Sequence, residues 1–344
     1  MRLLLLIFLS LVIHPANGQE LKKTLVYQDN IYSPTNIYAL NEDTIIVVDL
    51  SNRDAVLSMH DLKSKTVIAS HRAGRGPGEL SQKGRKLISN INNNLFLLWD
   101  NNQRKGMVYD RNLTYVTDIR YNDRSISSAV ILNDSIAVVR KFYNFETAAE
   151  IRRFNNNNIV DKVLLKIDTD YYNSLKPISI NFMVDQGPMI TDTDKAYIGY
   201  FYSTLVLTIS SNGTVDTLKT PNSFILPTVE YDDGYSAPDH AISPEGTLSI
   251  ATDDKYVYVL FSGKKFEIKP FMMAVKTITG KIADEIEKSD NTTELQIFDK
   301  RTGNYIKSIE LPEMAKDITV SGNYLYALSY VDGFYKIIKY ELSL

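Results

Sequence analysis

The phrase IIVV, at residues 45–48, is the first of six short apolar phrases that recur along this chain of 344 residues. The others are LFLL (95–98), IAVV (136–139), AYIG (196–199), YVYV (256–259) and LYAL (325–328). Their first residues lie 50, 41, 60, 60 and 69 residues apart, and each phrase follows a polar turn. A period of roughly 40–50 residues with several short strands per unit is typical of a β-propeller.

Each phrase is interpreted as the second strand of a four-stranded blade, because alternating apolar stretches bounded by Gly, Asn and Asp turns flank it on both sides. The predicted strands are 36–40, 44–49, 55–60 and 66–71; 86–91, 95–99, 106–109 and 115–119; 127–132, 135–141, 149–154 and 160–167; 182–190, 196–200, 205–210 and 215–219; 241–250, 256–262, 294–299 and 305–311; and 317–320, 324–329 and 335–342.

The sixth blade lacks a fourth strand at its end, and a spare strand, LKKTLVY, stands at residues 21–27. A propeller removes its free edge when the N-terminal strand completes the last blade. The fold class predicted from the sequence is therefore all-β: a six-bladed β-propeller closed by the N-terminal strand.

One segment, residues 264–293, interrupts this pattern inside the fifth blade. Val275, Ile278, Ile282 and Ile286 recur there at helical spacing, with charged residues on the other faces. We expect a short helical insert in blade five.

The N-terminus has the pattern of a secretory signal: Arg2, an apolar run over residues 3–13, and small residues at Ala16 and Gly18. We expect a signal peptide over residues 1–18, cleaved near Gly18, and a propeller over residues 19–344. The expected location is periplasmic or secreted, with no membrane span, since the apolar run is shorter than the roughly 20 residues that cross a bilayer. The chain has no cysteine, so disulfides cannot contribute to its stability.

Composition and motifs argue against several classes of function. The net charge is −3 and no basic tract is present, so no nucleic-acid partner is expected. His60, His71 and His240 are isolated, and Asp232, Asp233 and Asp239 lack the spacing of a calcium loop. No metal, no cofactor and no catalytic residue is predicted.

Three phrases carry a resemblance to a known family. AGRGPGEL (73–80) resembles the G-x-GPGE signature of bacterial exported TolB-like six-bladed β-propellers, and YVYVLFSG (256–263) resembles their Y-x-LYSG phrase. LQIFDKRTGNYIKSI (295–309) is similar to their I-x-VFD-x-x-G phrase. The resemblance covers the mature chain and implies the propeller fold and export, but no established activity. Many members begin with a lipid-modified cysteine, which this chain lacks.

Strand alternation places one set of loops on a single face of the predicted propeller. That face collects the crossover between blades one and two and several loops rich in Tyr, Phe and Asp, which suit sugar rings or peptide segments. The glycines of the crossover have a purely structural interpretation as well, since they permit tight turns. The candidate ligand- or partner-binding residues are Arg75, Glu79, Tyr143, Phe145, Tyr172, Tyr202, Tyr231, Tyr235, Asp239 and His240.

The function predicted from these features is that of a monomeric binding or interaction module for an envelope protein, peptide or glycan. The alternative is a propeller enzyme, such as a hydrolase, lactonase or lyase, with its site at the channel mouth. That alternative needs a channel metal or convergent acidic residues, and the sequence shows neither pattern clearly.

Overall fold

The computed structural model describes residues 21–83, 86–121, 126–133, 135–141, 149–155, 158–165, 187–192, 194–222, 229–232, 235–238, 245–263 and 292–344. Within these ranges every regular element is a β-strand. The predicted signal peptide lies outside them, and so does nearly all of the predicted helical insert, of which only residues 292 and 293 are described.

Four sheets each contain four antiparallel strands, in chain order from the innermost strand outward. The first sheet has β2 (Pro34–Ala39), β3 (Thr44–Asp49), β4 (Leu57–Asp61) and β5 (Thr66–His71), and the second has β6 (Lys86–Asn90), β7 (Leu95–Asp100), β8 (Lys105–Asp110) and β9 (Tyr115–Arg120). The third has β10 (Ile126–Asn133), β11 (Ile136–Lys141), β12 (Ala149–Asn155) and β13 (Asn158–Leu165), and the fourth has β14 (Met189–Thr191), β15 (Lys195–Gly199), β16 (Val206–Ser210) and β17 (Val215–Thr217).

The last part of the chain forms a hairpin and one seven-stranded sheet. The hairpin consists of β18 (Val229–Asp232) and β19 (Tyr235–Pro238), in a segment that the sequence predicts as a loop. The sheet has β20 (Thr247–Thr252), β21 (Tyr256–Phe261), β22 (Thr292–Asp299), β23 (Tyr305–Ser321), β24 (Tyr324–Val331) and β25 (Phe334–Glu341), with β1 (Lys22–Tyr27) at its edge.

The length of β23 joins the predicted fifth and sixth blades into a single sheet. Two separate strands are expected at 305–311 and 317–320, but the chain stays extended between them. Ala315 pairs with Thr292 on one side and with Ser329 on the other, so the backbone has ladder partners across the expected break. The strand is thus the outer strand of one four-stranded unit and the inner strand of the next.

The recurring apolar phrases form the second strand of each unit, and their burial explains their composition. Ile45, Ile46, Val47 and Val48 are all fully buried, because each face of the sheet packs against a neighbouring sheet. A strand covered on both faces is a continuous apolar run and does not alternate. Separate apolar clusters fill the spaces between successive sheets and also the space between the last sheet and the first.

The N-terminal strand β1 pairs antiparallel with β25, from Lys22 opposite Glu341 to Tyr27 opposite Ile337. This is the pairing that the spare strand at residues 21–27 predicts. The inner strand β23 also contacts β2 of the first sheet. The β1–β25 pairs join residues that are 310 to 319 positions apart in the sequence.

A buried histidine links β1 to the first sheet. The His60 side chain is fully buried, with Nδ1 2.7 Å from the Tyr27 hydroxyl and Nε2 2.7 Å from Ser58 Oγ. Burial lowers the pKa of His60 from 6.5 to about 4, although the nearby Asp49 carboxylate acts in the opposite direction. The imidazole is therefore neutral at neutral pH and bonded through both nitrogens.

Acidification is expected to destabilise the protein through His60. Above pH 6.5 the imidazole is neutral in both the folded and the unfolded chain, so its contribution is constant. Between pH 6.5 and about 4 only the unfolded chain takes up the proton, and the free energy of unfolding falls by roughly 3 kcal/mol. Urea unfolding of wild type and His60→Gln at pH 7 and 4.5 measures this difference. The same loss of stability between the two pH values in His60→Gln as in wild type would contradict the assignment.

Candidate functional site

Five of the inner strands line a central channel of about 230 Å³. Its walls come from β2, β6, β14, β20 and the second half of β23, and Arg111 reaches it from the turn between β8 and β9. Several of the inner-strand residues that line it are polar, among them Asn36, Ser89 and Asp317, so the channel presents hydroxyl, amide and carboxylate groups. The strand packing that builds the core therefore also builds a polar cavity.

The Asp317 carboxylate lies in this channel and connects three strands. Its Oδ2 accepts from the backbone N–H of Ile37 at 2.8 Å, and its Oδ1 accepts from Ser249 Oγ at 2.5 Å. Ser249 Oγ in turn accepts from the N–H of Ile318 at 3.3 Å. Asp317 is nearly buried, so these bonds compensate the loss of hydration of a charged group. Asp317 is thus a structural crosslink of the channel wall.

Arg111 lies at the other end of the channel, half-buried among turns. Its Nε donates to the carbonyl of Asn93 at 3.1 Å, its Nη1 to the carbonyl of Leu40 at 3.3 Å, and its Nη2 to Asn90 Oδ1 at 3.2 Å. All three acceptors are neutral. Among the residues with described coordinates, no carboxylate lies within ion-pair distance of this guanidinium.

Tyr38 and Ser89 add hydroxyl groups to the same channel. Burial raises the pKa of Tyr38 to about 12, although the charge of Arg111 and a hydrogen bond with Asn90 both act to lower it. The phenol therefore stays protonated at neutral pH. Ser89 is 2 % exposed, and its Oγ has no hydrogen-bond partner within the described part of the chain. Within that part of the chain, the channel therefore contains a hydroxyl group that no protein atom engages.

The predicted crossover loop, residues 73–80, is braced by the second sheet. Gln103 Nε2 donates to the carbonyls of Gly74 and Glu79, at 2.8 and 3.2 Å, and Lys105 Nζ donates to the carbonyl of Gly76 at 3.0 Å. Gly78 has φ +68°, and a Cβ there would lie 2.9 Å from the Tyr115 ring. The glycines are thus explained by backbone geometry and close packing.

The two predicted site residues in this loop differ in environment. The Glu79 carboxylate accepts from the N–H of Gly76 at 2.9 Å and from Arg72 Nε at 3.0 Å. The Gly76 N–H, followed by Arg72, holds the pKa of Glu79 below its usual range. Arg75 is exposed to solvent at the tip of the loop. Glu79 therefore stabilises the loop, and Arg75 is the side chain that the loop presents.

The other predicted site residues are described only in part. Tyr202 is half-buried in the turn between β15 and β16, and the backbones of Tyr231 and Tyr235 lie on the β18–β19 hairpin. Tyr143, Phe145, Tyr172, Asp239 and His240 lie outside the described residues.

Sequence reasoning missed the channel residues Arg111, Tyr38, Ser89 and Asp317. For Tyr38, Ser89 and Asp317 the available signal was a polar side chain within a strand predicted to be the innermost of its blade. The strands alternate in direction, so Arg111 lies at the end of the channel opposite the crossover loops. Within the described ranges, no group of three or more His, Cys, Asp or Glu side chains is placed to hold a metal ion, and no helix is long and apolar enough to span a membrane.

Comparison with known proteins identifies the family. The profile of the TolB-like 6-blade propeller-like family matches residues 13–323. A Bacteroides fragilis protein described as a candidate exported protein has 10 % identity and a TM-score of 0.52, with 95 % of this chain and 96 % of that one covered. Virginiamycin B lyase from Staphylococcus aureus has 9 % identity and a TM-score of 0.49, with 94 % and 100 % covered. Among curated proteins, none matches this sequence. The chain belongs to the TolB-like six-bladed propeller family.

Proposed function

We propose that this chain is an exported interaction module: a propeller closed by its N-terminal strand that binds an envelope protein, peptide or glycan through its crossover face. Export is supported by the charged, apolar and small-residue segments at residues 1–18. Closure is supported by the pairing of β1 with β25 and by the contact of β23 with β2.

The observation that carries the proposal is the braced crossover loop. Gln103, Lys105 and the Tyr109 hydroxyl hold its carbonyls, so the exposed Arg75 is presented on a backbone that is already ordered. A preorganised loop loses little conformational entropy when a partner binds. The β18–β19 hairpin, whose backbone includes Tyr231 and Tyr235, falls in the chain between β17 and β20, so strand alternation leads us to expect it on the crossover face as well.

The enzyme alternative has no specific observation in its favour among the described residues. Ser249 donates to the Asp317 carboxylate, which also accepts a backbone N–H, so this pair connects strands of the channel wall. A nucleophile would need an adjacent general base with a free acceptor atom.

Affinity capture from the native envelope tests the proposal, with the chain from residue 19 onward as bait. The variant is Arg75→Glu, which reverses the exposed charge on the crossover loop. The matched control is Arg301→Glu, another exposed arginine, in the turn between β22 and β23 at the opposite end of the strands. We expect wild type and the control to retain the same partner, and Arg75→Glu to lose most of it. Equal capture by all three proteins would contradict the placement of the binding surface on the crossover face.

A further inference from the structure

A second binding site is indicated at the opposite end of the propeller, where Arg111 meets the channel. The turn that carries Arg111 shares this end with the turns after Leu40 and before Leu95, whereas the crossover loops leave from the other end. The site is therefore independent of the partner surface proposed above, and it can exist whether or not that surface binds a partner.

We propose that the Arg111 end of the channel binds the carboxylate group of a small molecule. A guanidinium has five N–H donors in a planar fork, and Arg111 uses three of them on neutral oxygen atoms. Two donors and the full positive charge remain, and no described carboxylate lies close enough to compensate it. Planar carboxylates match this fork geometry.

Neighbouring groups favour the same ligand. The Tyr38 hydroxyl stays protonated and therefore able to donate, and the unpaired Oγ of Ser89 offers a further O–H in the same channel. A buried hydroxyl without a partner is uncommon in folded proteins, and a bound polar ligand is one arrangement that satisfies it. The volume of about 230 Å³ lies below the range of sites for drug-sized ligands, which limits the ligand to a small molecule or a chain end.

The donors of the channel favour carboxylate over phosphate. The two remaining donors of Arg111 match the two oxygen atoms of a planar carboxylate, whereas a phosphate group has further charged oxygen atoms that would lose their hydration in the cavity. Asp317 lies in the wall of the same cavity and has no donor for them. A carboxylate bound at Arg111 is therefore favoured, and an α-carboxylate occurs both in free amino acids and at peptide C-termini.

Titration with defined probes tests this site on the full mature chain. The probes are propionate, glycine, triglycine and inorganic phosphate, followed by ligand-observed NMR and isothermal titration. We expect propionate to bind more tightly than phosphate, and Arg111→Gln to weaken propionate binding by about tenfold or more. Arg301→Gln removes an exposed arginine from the same end without lining the channel, and should bind as wild type. Glycine and triglycine distinguish a free amino acid from a chain end as the source of the carboxylate.

A second variant separates loss of binding from loss of structure, because Arg111 also hydrogen-bonds to the carbonyls of Leu40 and Asn93 in two neighbouring turns. Tyr38→Phe keeps the ring that stacks on Phe96 and removes only the hydroxyl. We expect it to fold normally and to bind propionate several-fold more weakly, and Arg111→Lys to restore part of the affinity that Arg111→Gln loses. Equal binding of phosphate and propionate, or unchanged propionate binding in both Arg111→Gln and Tyr38→Phe, would overturn the proposal.

Discussion

A chain that starts at residue 29 will fail to fold into a stable monomer, because it lacks β1. Tyr27 is fully buried between the last sheet and the first, and removing a large buried aromatic side chain costs roughly 3–5 kcal/mol. The ladder between β1 and β25 is lost as well, at roughly 1 kcal/mol for each hydrogen bond. The sum is comparable to the whole stability of a typical domain, which is about 5–15 kcal/mol.

Circular dichroism and size-exclusion chromatography measure this result against the chain that starts at residue 19. We expect the truncated chain to aggregate through the exposed edge of β25 or to lose its cooperative melting transition. Tyr27→Phe in the longer chain is the matched control. It keeps the strand and the ring, removes the bond to His60, and should cost only about 1 kcal/mol. A soluble truncated chain with the reference melting temperature would show that β1 is dispensable.

The second large effect is expected for Asp100→Ala, in the buried ion pair with Lys86. The two side chains are fully buried, with Lys86 Nζ 3.1 Å from Asp100 Oδ1. Asp100 also accepts from the N–H groups of Ser81, Asn102 and Gln103, and so connects the crossover to the next turn. Removing one partner of a buried pair leaves a buried charge without its counterion, at a cost of roughly 3–5 kcal/mol.

Chemical unfolding of wild type and three variants separates this contribution from simple loss of contacts. Burial lowers the pKa of Lys86, and the Asp100 carboxylate acts in the opposite direction because it stabilises the ammonium. Lys86→Met in the Asp100→Ala background should therefore recover part of the lost free energy of unfolding. Glu341→Gln removes an exposed pair with Lys22 and should cost less than about 1 kcal/mol. A loss in Asp100→Ala no greater than in Glu341→Gln would contradict the importance of the buried pair.

Much of the fold could be predicted because its signals are local. The phrase at residues 45–48 is apolar at every position since both faces of its strand are covered, and this pattern repeats in each unit. The pairing of residues 21–27 with the last strand follows from counting strands, and the structure contains it. The glycine-rich segment at residues 74–79 lies between two predicted strands, which predicts a crossover, and the structure has it between β5 and β6.

The channel and the continuity of β23 depended instead on contacts between residues far apart in the chain. Ile37 donates to Asp317 across 280 residues, and Arg111 reaches the carbonyl of Leu40 across 71 residues. No periodicity encodes which polar side chains of different inner strands will meet, because that depends on the register and the ring geometry of the assembled sheets. The sequence by itself determined the strand pattern, the number of units and the family. A strand that is covered on both faces needs an apolar residue at each position, and that requirement is visible in the sequence. Only the tertiary structure decided where the Arg111 guanidinium and the Tyr38 and Ser89 hydroxyls converge, because that is a property of the packed sheets and not of any one strand.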